Sequence, residues 1–282
     1  MAGYIKSPLN YTGGKYKILE YILPCFPKNI RTFVDLFGGG FNVGINVRAD
    51  KIIYNDHNLY LSQMFEYFKK NGLNAIDNIY KGIDEYDLNE ENTQGYLALR
   101  QEYNKTKNIL DLFILTCYSF NHQIRFNSRH EFNTPFGKNR SAYNKAIEEN
   151  LINLIKTLQS KNIEFYSNDF TFLYDLDLGV NDFVYCDPPY LISNATYNDG
   201  KRGFKNWGKN EEQQLLDLLD YLNDKNVKFA LSNVFTHKGM TNEMLVEWSK
   251  KYNIKRIEKT YNNSSYQRKN KDKETQEVLI LN

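Results

Sequence analysis

Asp187-Pro188-Pro189-Tyr190 closes the apolar run "FVYC" (183–186). Neither proline can donate a backbone hydrogen bond, so a strand must stop there. The pattern puts a carboxylate, a rigid turn and an aromatic ring at the carboxyl end of a buried strand. That is where open α/β sheets bind ligands. Asp187 can accept one hydrogen of an amine, and the carbonyl of Pro188 can accept the other. Tyr190 can stack on a flat base. An aryl amine is a poor nucleophile because its lone pair is delocalised into the ring. Two acceptors favour a more tetrahedral nitrogen and aim the lone pair at an electrophile. Positioning and stabilisation of the developing positive charge then supply the rate, and no metal is required. The bland use of the same residues is a strand-ending turn with a packing tyrosine.

A second constellation lies in "FVDLFGGGFNVG" (33–44): a strand ending in Asp35, then Gly38, Gly39 and Gly40, then a predicted helix over 41–48. Glycines let the backbone turn sharply and approach a ligand. About twenty residues on, "KIIYND" (51–56) ends in Asp56, an acid placed to accept from a ribose diol. A plain tight turn would use the same glycines, but the matched acid favours a nucleoside-binding βαβ unit. The spacing is not GxGxxG, and Phe41 stands where a third turn glycine would sit. Asp35 would repel a pyrophosphate and attract an amino group. That favours S-adenosylmethionine over NAD.

These residues need a sheet to hold them. Candidate strands are 31–37, 51–56, 163–167, 182–187, 227–232, 254–260 and 277–282, several of them continuously apolar, as in sheets covered on both faces. Helical patterns fall near 15–23, 41–48, 58–70, 94–105, 108–120, 143–159, 210–224 and 241–251. The alternation predicts an α/β fold with an open Rossmann-like sheet. From 58 to 144 there is helical pattern but no buried strand. We expect a catalytic domain of residues 1–57 and 145–282 carrying an inserted, mainly helical subdomain at 58–144. The polar stretch 262–275 is expected to be mobile.

Composition sets wider bounds. The 282 residues suffice for one large domain or two small ones, and the apolar fraction of 41% is that of a soluble protein. No run approaches a membrane span, and the N-terminus has no apolar signal core, so a cytoplasmic location is expected. Cys25, Cys117 and Cys186 form no CxxC pair and read as reduced thiols. Net charge is +2, but bases gather in 123–140 and 265–273. Aromatics reach 15%, with 22 tyrosines, and asparagine is frequent. Tyr and Asn suit polar binding surfaces, and an AT-rich genome gives the same bias.

Taken together, the chain resembles the Dam-type DNA adenine N6-methyltransferases, with cofactor motif first, recognition region next and DPPY last. "LNYTGGK" (9–15) resembles the opening KWxGGK motif, with Tyr11 at the Trp position and Lys15 at the Lys. "DLFGGGFN" resembles EPFxGxGS, "YNDHN" the acidic ribose motif, and "SNDF" the loop whose acid, here Asp169, lies near the cofactor adenine. The resemblance implies a cofactor set of Tyr11, Gly13, Lys15, Asp35, Phe37, Gly38, Gly39, Asp56, Asp169, Phe170 and Asp187. It implies Asp187, Pro188 and Tyr190 as the catalytic residues. The segment 118–140 resembles YNGLxRxNxxGxFNxPFGxY, which enters DNA in relatives. Phe120 matches an aromatic that fills the gap left by the flipped base, or else is a core aromatic of the helix 108–120. Arg125 matches an arginine that reads guanine. Asn10, Asn121, Gln123, Asn127, Asn133 and Pro135 are expected at the DNA too, with Arg129, Lys138 and Arg140 on phosphates.

The implied function is methylation of a flipped adenine in double-stranded DNA by a monomer without metal or membrane partner. It would serve restriction–modification, phage DNA protection or regulation. In a restriction–modification setting a cognate endonuclease would share the site without direct binding. Three departures stand out: Phe41, Asn10 where many GATC-reading relatives carry a lysine, and "NHQIRFN" in place of NGLxRxN. A short palindrome such as GATC is the leading expectation for the site. Alternatives are methylation of RNA or of a protein amide, a nonenzymatic DNA-binding protein, and an NAD-dependent dehydrogenase. Asp187 in place of Asn argues against amides, and the DNA-reading insert argues against RNA. The last alternative lacks both fingerprint and catalytic pair.

Overall fold

The structure is a computed structural model that describes residues 3–192, 207–257 and 275–282. A 3₁₀ turn (Lys15–Ile18) leads into the short α1 (Leu19–Ile22), and β1 (Thr32–Asp35) and β2 (Lys51–Asn55) follow. Four helices come next: α2 (Leu59–Asn71), α3 (Asn74–Glu85), α4 (Thr93–Thr106) and α5 (Ile109–Tyr118). A long loop leads to α6 (Lys145–Ser160), then β3 (Ile163–Tyr166) and β4 (Phe183–Cys186). The chain ends with α7 (Lys209–Asp224), β5 (Lys228–His237), β6 (Met240–Thr241), α8 (Glu243–Ser249), β7 (Asn253–Arg256) and β8 (Gln276–Leu281).

The eight strands among the described residues form one open sheet in the order β3-β2-β1-β4-β5-β8-β7, with β6 on β5. From β3 to β5 the pairing is parallel; β8 runs antiparallel to both β5 and β7. This is a Rossmann-like, mostly parallel α/β sheet. Adjacent residues point to opposite faces. Phe33 joins one apolar cluster with Tyr54, Phe65, Phe113 and Tyr185, while Val34 joins another with Val184, Leu219 and Phe229. The helices between β2 and β3 thus share a continuous core with one face of the sheet. The chain leaves β1 for β2 on one side and later places β4 on the other. The order therefore reverses at β1, the position that opens a crevice at the strand ends.

Asparagine has a use that its abundance did not disclose. Asn58, Asn92, Asn108, Asn144 and Asn242 cap α2, α4, α5, α6 and α8, each accepting from a first-turn backbone N–H. The helix expected over 41–48 does not form. Only a 3₁₀ turn, Gly44–Asn46, is present, so the first crossover is not a βαβ unit. Asn42 Oδ1 accepts from Ser7 N–H and Asn46 Oδ1 from Ile5 N–H, at 3.0 and 2.8 Å, so these side chains clasp the extended N-terminal segment. The helix expected to reach 120 stops at Tyr118. The strand expected over 254–260 is seen as β7, ending at Arg256. Residues 258–274 lie outside the described residues, so of the polar stretch 262–275 only Thr275 falls within them. No helix among the described residues is long and apolar enough to cross a membrane.

Candidate active site

β4 is buried along its whole length, and its last paired residue is Cys186, opposite Leu231. Asp187 follows, with its side chain 17% exposed. Lys15, buried at 6%, sets its Nζ 2.8 Å from Asp187 Oδ2 and donates to the Gly13 carbonyl at 2.9 Å. Tyr190 donates its hydroxyl to Asp187 Oδ1 at 3.2 Å, and the Lys15 ammonium lies 5.2 Å from the Tyr190 ring centre. Burial disfavours the Lys15 ammonium, but Asp187 and Tyr185 hold its pKa above the ordinary lysine value. Burial raises the Asp187 carboxyl, and Lys15 and Tyr190 pull it only part of the way back.

The glycine turn follows β1. A Cβ on Gly38 would come within 2.2 Å of the Tyr54 ring, so no other residue fits there. Tyr54 donates its hydroxyl to the Gly39 carbonyl at 2.8 Å. Phe41 adopts φ 58°, a region that costs a bulky residue strain. Its fully buried ring packs 4.8 Å from Tyr54 and 5.5 Å from Phe65, which fixes the turn from the core side. Asp56 buckles the turn from the other side: Oδ2 accepts from Gly39 N–H and Oδ1 from Asn58 N–H, each at 2.8 Å. Asp35 is 1% exposed, and its Oδ2 accepts from Gly44 N–H at 2.9 Å. Burial, helped by the Asp187 and Asp56 charges and opposed by that hydrogen bond, pushes its pKa up to about 7.

These groups face one cleft at the carboxyl ends of β1, β2 and β4. Tyr11, Gly13, Lys15, Asp35, Phe37, Gly38, Gly39, Asp56, Asp169, Phe170, Asp187, Pro188 and Tyr190 all line it. So do Thr12, Asn42, Asn55, His57, Asn168, Tyr185, Trp207 and Glu211, which the sequence reading did not single out. Asn55 donates to the Leu36 and Asn168 carbonyls and accepts from Asn168 N–H, which joins the glycine turn to the loop carrying Asp169. Asp169 caps the following 3₁₀ turn by accepting from Thr171 N–H at 3.1 Å. Phe37 and Phe170 stand 5.9 Å apart, with Trp207 beside both. No group of three or more metal-ligating side chains is placed for an ion among the described residues.

The residues assigned to DNA gather on the loop after α5. Phe126 and Phe132 are buried and paired across an isolated bridge, with Phe126 stacked on Tyr60 at 4.7 Å. A second bridge joins Ser119 and Phe136. The two anchors leave Asn121, Arg125, Arg129, Asn133, Pro135, Lys138 and Arg140 exposed. Phe120 is 38% exposed and is not a core aromatic; the Arg140 guanidinium covers its ring at 4.8 Å. Arg125 donates to Gln123 Oε1. Asn127 is committed within the loop, donating to Glu131 and accepting from Arg129 and Glu131 N–H groups. Asn10 donates to the Asn121 carbonyl at 3.0 Å, which brings the N-terminal segment that lines the cleft onto this loop.

The D12 class N6 adenine-specific DNA methyltransferase family matches residues 11–263. The type II methyltransferase M.FokI of Planomicrobium okeanokoites is 52% identical over 99% of this chain, and the modification methylase StsI of Streptococcus sanguinis is 49% identical over 99%. The chain spans only 43% of the length of each. The DNA adenine methylase of Escherichia coli K12 is 28% identical over 80% of this chain and 79% of its own.

Proposed function

The chain belongs to the D12 class of N6 adenine-specific DNA methyltransferases, and we propose that it methylates the exocyclic amine of an adenine turned out of duplex DNA, using S-adenosylmethionine. The charge of the cleft is the observation that carries this reading. Among the described residues, five carboxyl side chains, Asp35, Asp56, Asp169, Asp187 and Glu211, line it against one lysine, and that lysine is held by Asp187. A pyrophosphate would meet carboxylates there, whereas a ligand bearing a sulfonium and an ammonium meets opposite charge. The residues therefore fit S-adenosylmethionine. Asp35 would take its ammonium, Asp56 its ribose hydroxyls, and Phe37 with Phe170 its adenine ring beside Asp169. When bound, it supplies an electrophilic methyl group.

The chain's own residues do the rest. Tyr190 offers a platform for the flipped base. Asp187 accepts one hydrogen of the amine and the Pro188 carbonyl the other, which turns the nitrogen lone pair out of the ring. The same two oxygens stabilise the positive charge that grows on nitrogen. A carboxyl held above its ordinary pKa is also suited to receive the proton the amine sheds. Lys15, paired with that carboxylate, limits the rise and keeps Asp187 an acceptor. The exposed loop 119–140 is the DNA-recognition element of the inserted region 58–144, with Phe120 at the flipped base and Arg125 at a base edge. The relatives named as modification methylases support a restriction–modification setting, on DNA inside a bacterial cell. There the chain would act as a monomer beside an endonuclease of the same specificity.

Methyl-labelled S-adenosylmethionine incubated with duplex DNA tests the proposal. Label should reach adenine N6, and a folded Asp187→Ala variant should transfer less than about a hundredth of it. Label on cytosine or RNA alone, or substantial transfer by Asp187→Ala, would sink it.

A further inference from the structure

We propose that Glu212 is a positioning residue that fixes Trp207 as the third wall of the nucleobase compartment in the cleft. The inference rests on the cofactor reading above. Trp207 precedes α7 and stands edge-on to Phe37, with ring centres 5.7 Å apart and planes at 84°. Its centre is also 5.7 Å from Phe170. All three rings line the cleft on the side of Asp169. A flat base is gripped well only by rings whose orientation does not drift. Phe170 is held by burial, at 7% exposed, but Trp207 is only half-buried and needs another restraint.

A hydrogen bond supplies it. The indole Nε1 donates to Glu212 Oε2 at 2.7 Å. Glu212 is itself 1% exposed, and a buried carboxylate is costly unless its acceptors are met. Its Oε1 accepts from Asn242 Nδ2 at 2.8 Å and from Asn233 Nδ2 at 3.5 Å. Asn233 lies in β5, and Asn242 caps α8 by accepting from Leu245 N–H. The indole is thereby tied through one carboxylate to α7, β5 and α8. Every partner donates, so the central group must accept on both oxygens. A carboxylate does so; a glutamine has one acceptor oxygen and would turn an N–H toward a donor.

The test is calorimetric titration with S-adenosylhomocysteine of the wild type, Trp207→Phe, Glu212→Gln and the double variant. Trp207→Phe keeps a ring at the wall and every other bond of Glu212, so it serves even if Glu212→Gln folds poorly. Each single variant should bind about tenfold more weakly, the scale of one lost charged hydrogen bond. The double variant should lose no more than either single one, because both break the same link. The chain has two tryptophans, so Trp248→Phe leaves Trp207 as the sole indole reporter, and its emission should change on addition of the ligand. A wild type that binds no S-adenosylhomocysteine overturns the cofactor reading and this inference with it. A wild type that binds, with both single variants unchanged, overturns the inference alone. So does a double variant whose loss is the product of the two single losses, or Trp207 emission indifferent to the ligand.

Discussion

Asp35→Asn should stabilise the ligand-free protein at alkaline pH while weakening cofactor binding. Asp35 ends β1, opposite Tyr54 and Tyr185, with the Asp56 and Asp187 carboxylates nearby and no water-exposed face. Its pKa stands at about 7 against an ordinary 3.8. That gap corresponds to about 4 kcal/mol between the two protonation states. The sign follows from linkage. The folded chain holds the proton more tightly than the unfolded one, so stability from this group is fully present below pH ~4. It is lost as pH rises to about 7. Above that the fold carries a buried ionised carboxylate.

Asparagine cannot ionise, yet its Oδ1 can still accept from Gly44 N–H. Urea unfolding of both proteins at pH 5, 6, 7 and 8 isolates the Asp35 share. The stability gap in favour of Asp35→Asn should widen by about 1.4 kcal/mol per pH unit from pH 5 to 7 and then level off. A bound ammonium relieves the same charge, so wild-type affinity for S-adenosylmethionine should fall as pH drops below about 7. In Asp35→Asn both the affinity and its pH dependence should be reduced. Parallel stability curves, or equal affinities with equal pH slopes, would refute the assignment of Asp35 as an ionised partner of the ligand.

Asp56→Ala should cost about 2–4 kcal/mol of stability as well as cofactor affinity, because it strips acceptors from the N–H groups of both Gly39 and Asn58; denaturant midpoints and calorimetry separate the two losses. Phe120→Ala should abolish the brightening of 2-aminopurine placed at the target base while leaving the melting temperature nearly unchanged, as expected for a ring that is 38% exposed; unchanged brightening would remove Phe120 from base flipping. Arg125→Ala should relax selectivity at one base pair by about 1–3 kcal/mol, whereas Lys138→Ala should weaken all sequences alike and flatten the salt dependence. Binding to single-base variants of the site at two salt concentrations tells them apart.

The parts of the site that were legible in the sequence are those whose backbone is dictated by residue type. Prolines at 188 and 189 end β4 wherever they occur, and glycines at 38 and 39 mark a turn that other residues cannot make. The helix α3 escaped notice because its N-cap is Leu73, with no capping side chain. It also holds Gly82 in its interior, where α5 comes so close that a Cβ would lie 2.7 Å from Ile114. The segment 41–48 misled for the opposite reason. It follows a glycine turn, where a βαβ unit would place a helix, but its apolar residues Phe41, Val43, Ile45 and Val47 alternate, and the side chains of Asn42 and Asn46 bind a segment 35 and 41 residues earlier, a partnership no local pattern announces.

Long-range polar partners account for the rest. Glu212 finds Asn233 and Asn242 at separations of 21 and 30 residues, and Asn10 finds Asn121 across 111. The last pair changes what the opening motif does. Tyr11 and Lys15 of that segment line the cleft, while Asn10 donates to the carbonyl of a residue held at φ 55° beside Phe120. One short stretch therefore touches Asp187 through Lys15 and the loop after α5 through Asn10. A lysine at position 10 could still donate to that carbonyl, but its long flexible stem and full charge would be drawn toward DNA instead. The asparagine is short and neutral, and it is already spent on the loop. Under the proposed function, base reading on this face would then rest on Arg125 and Gln123, whose side chains are bonded to each other and exposed or half-exposed.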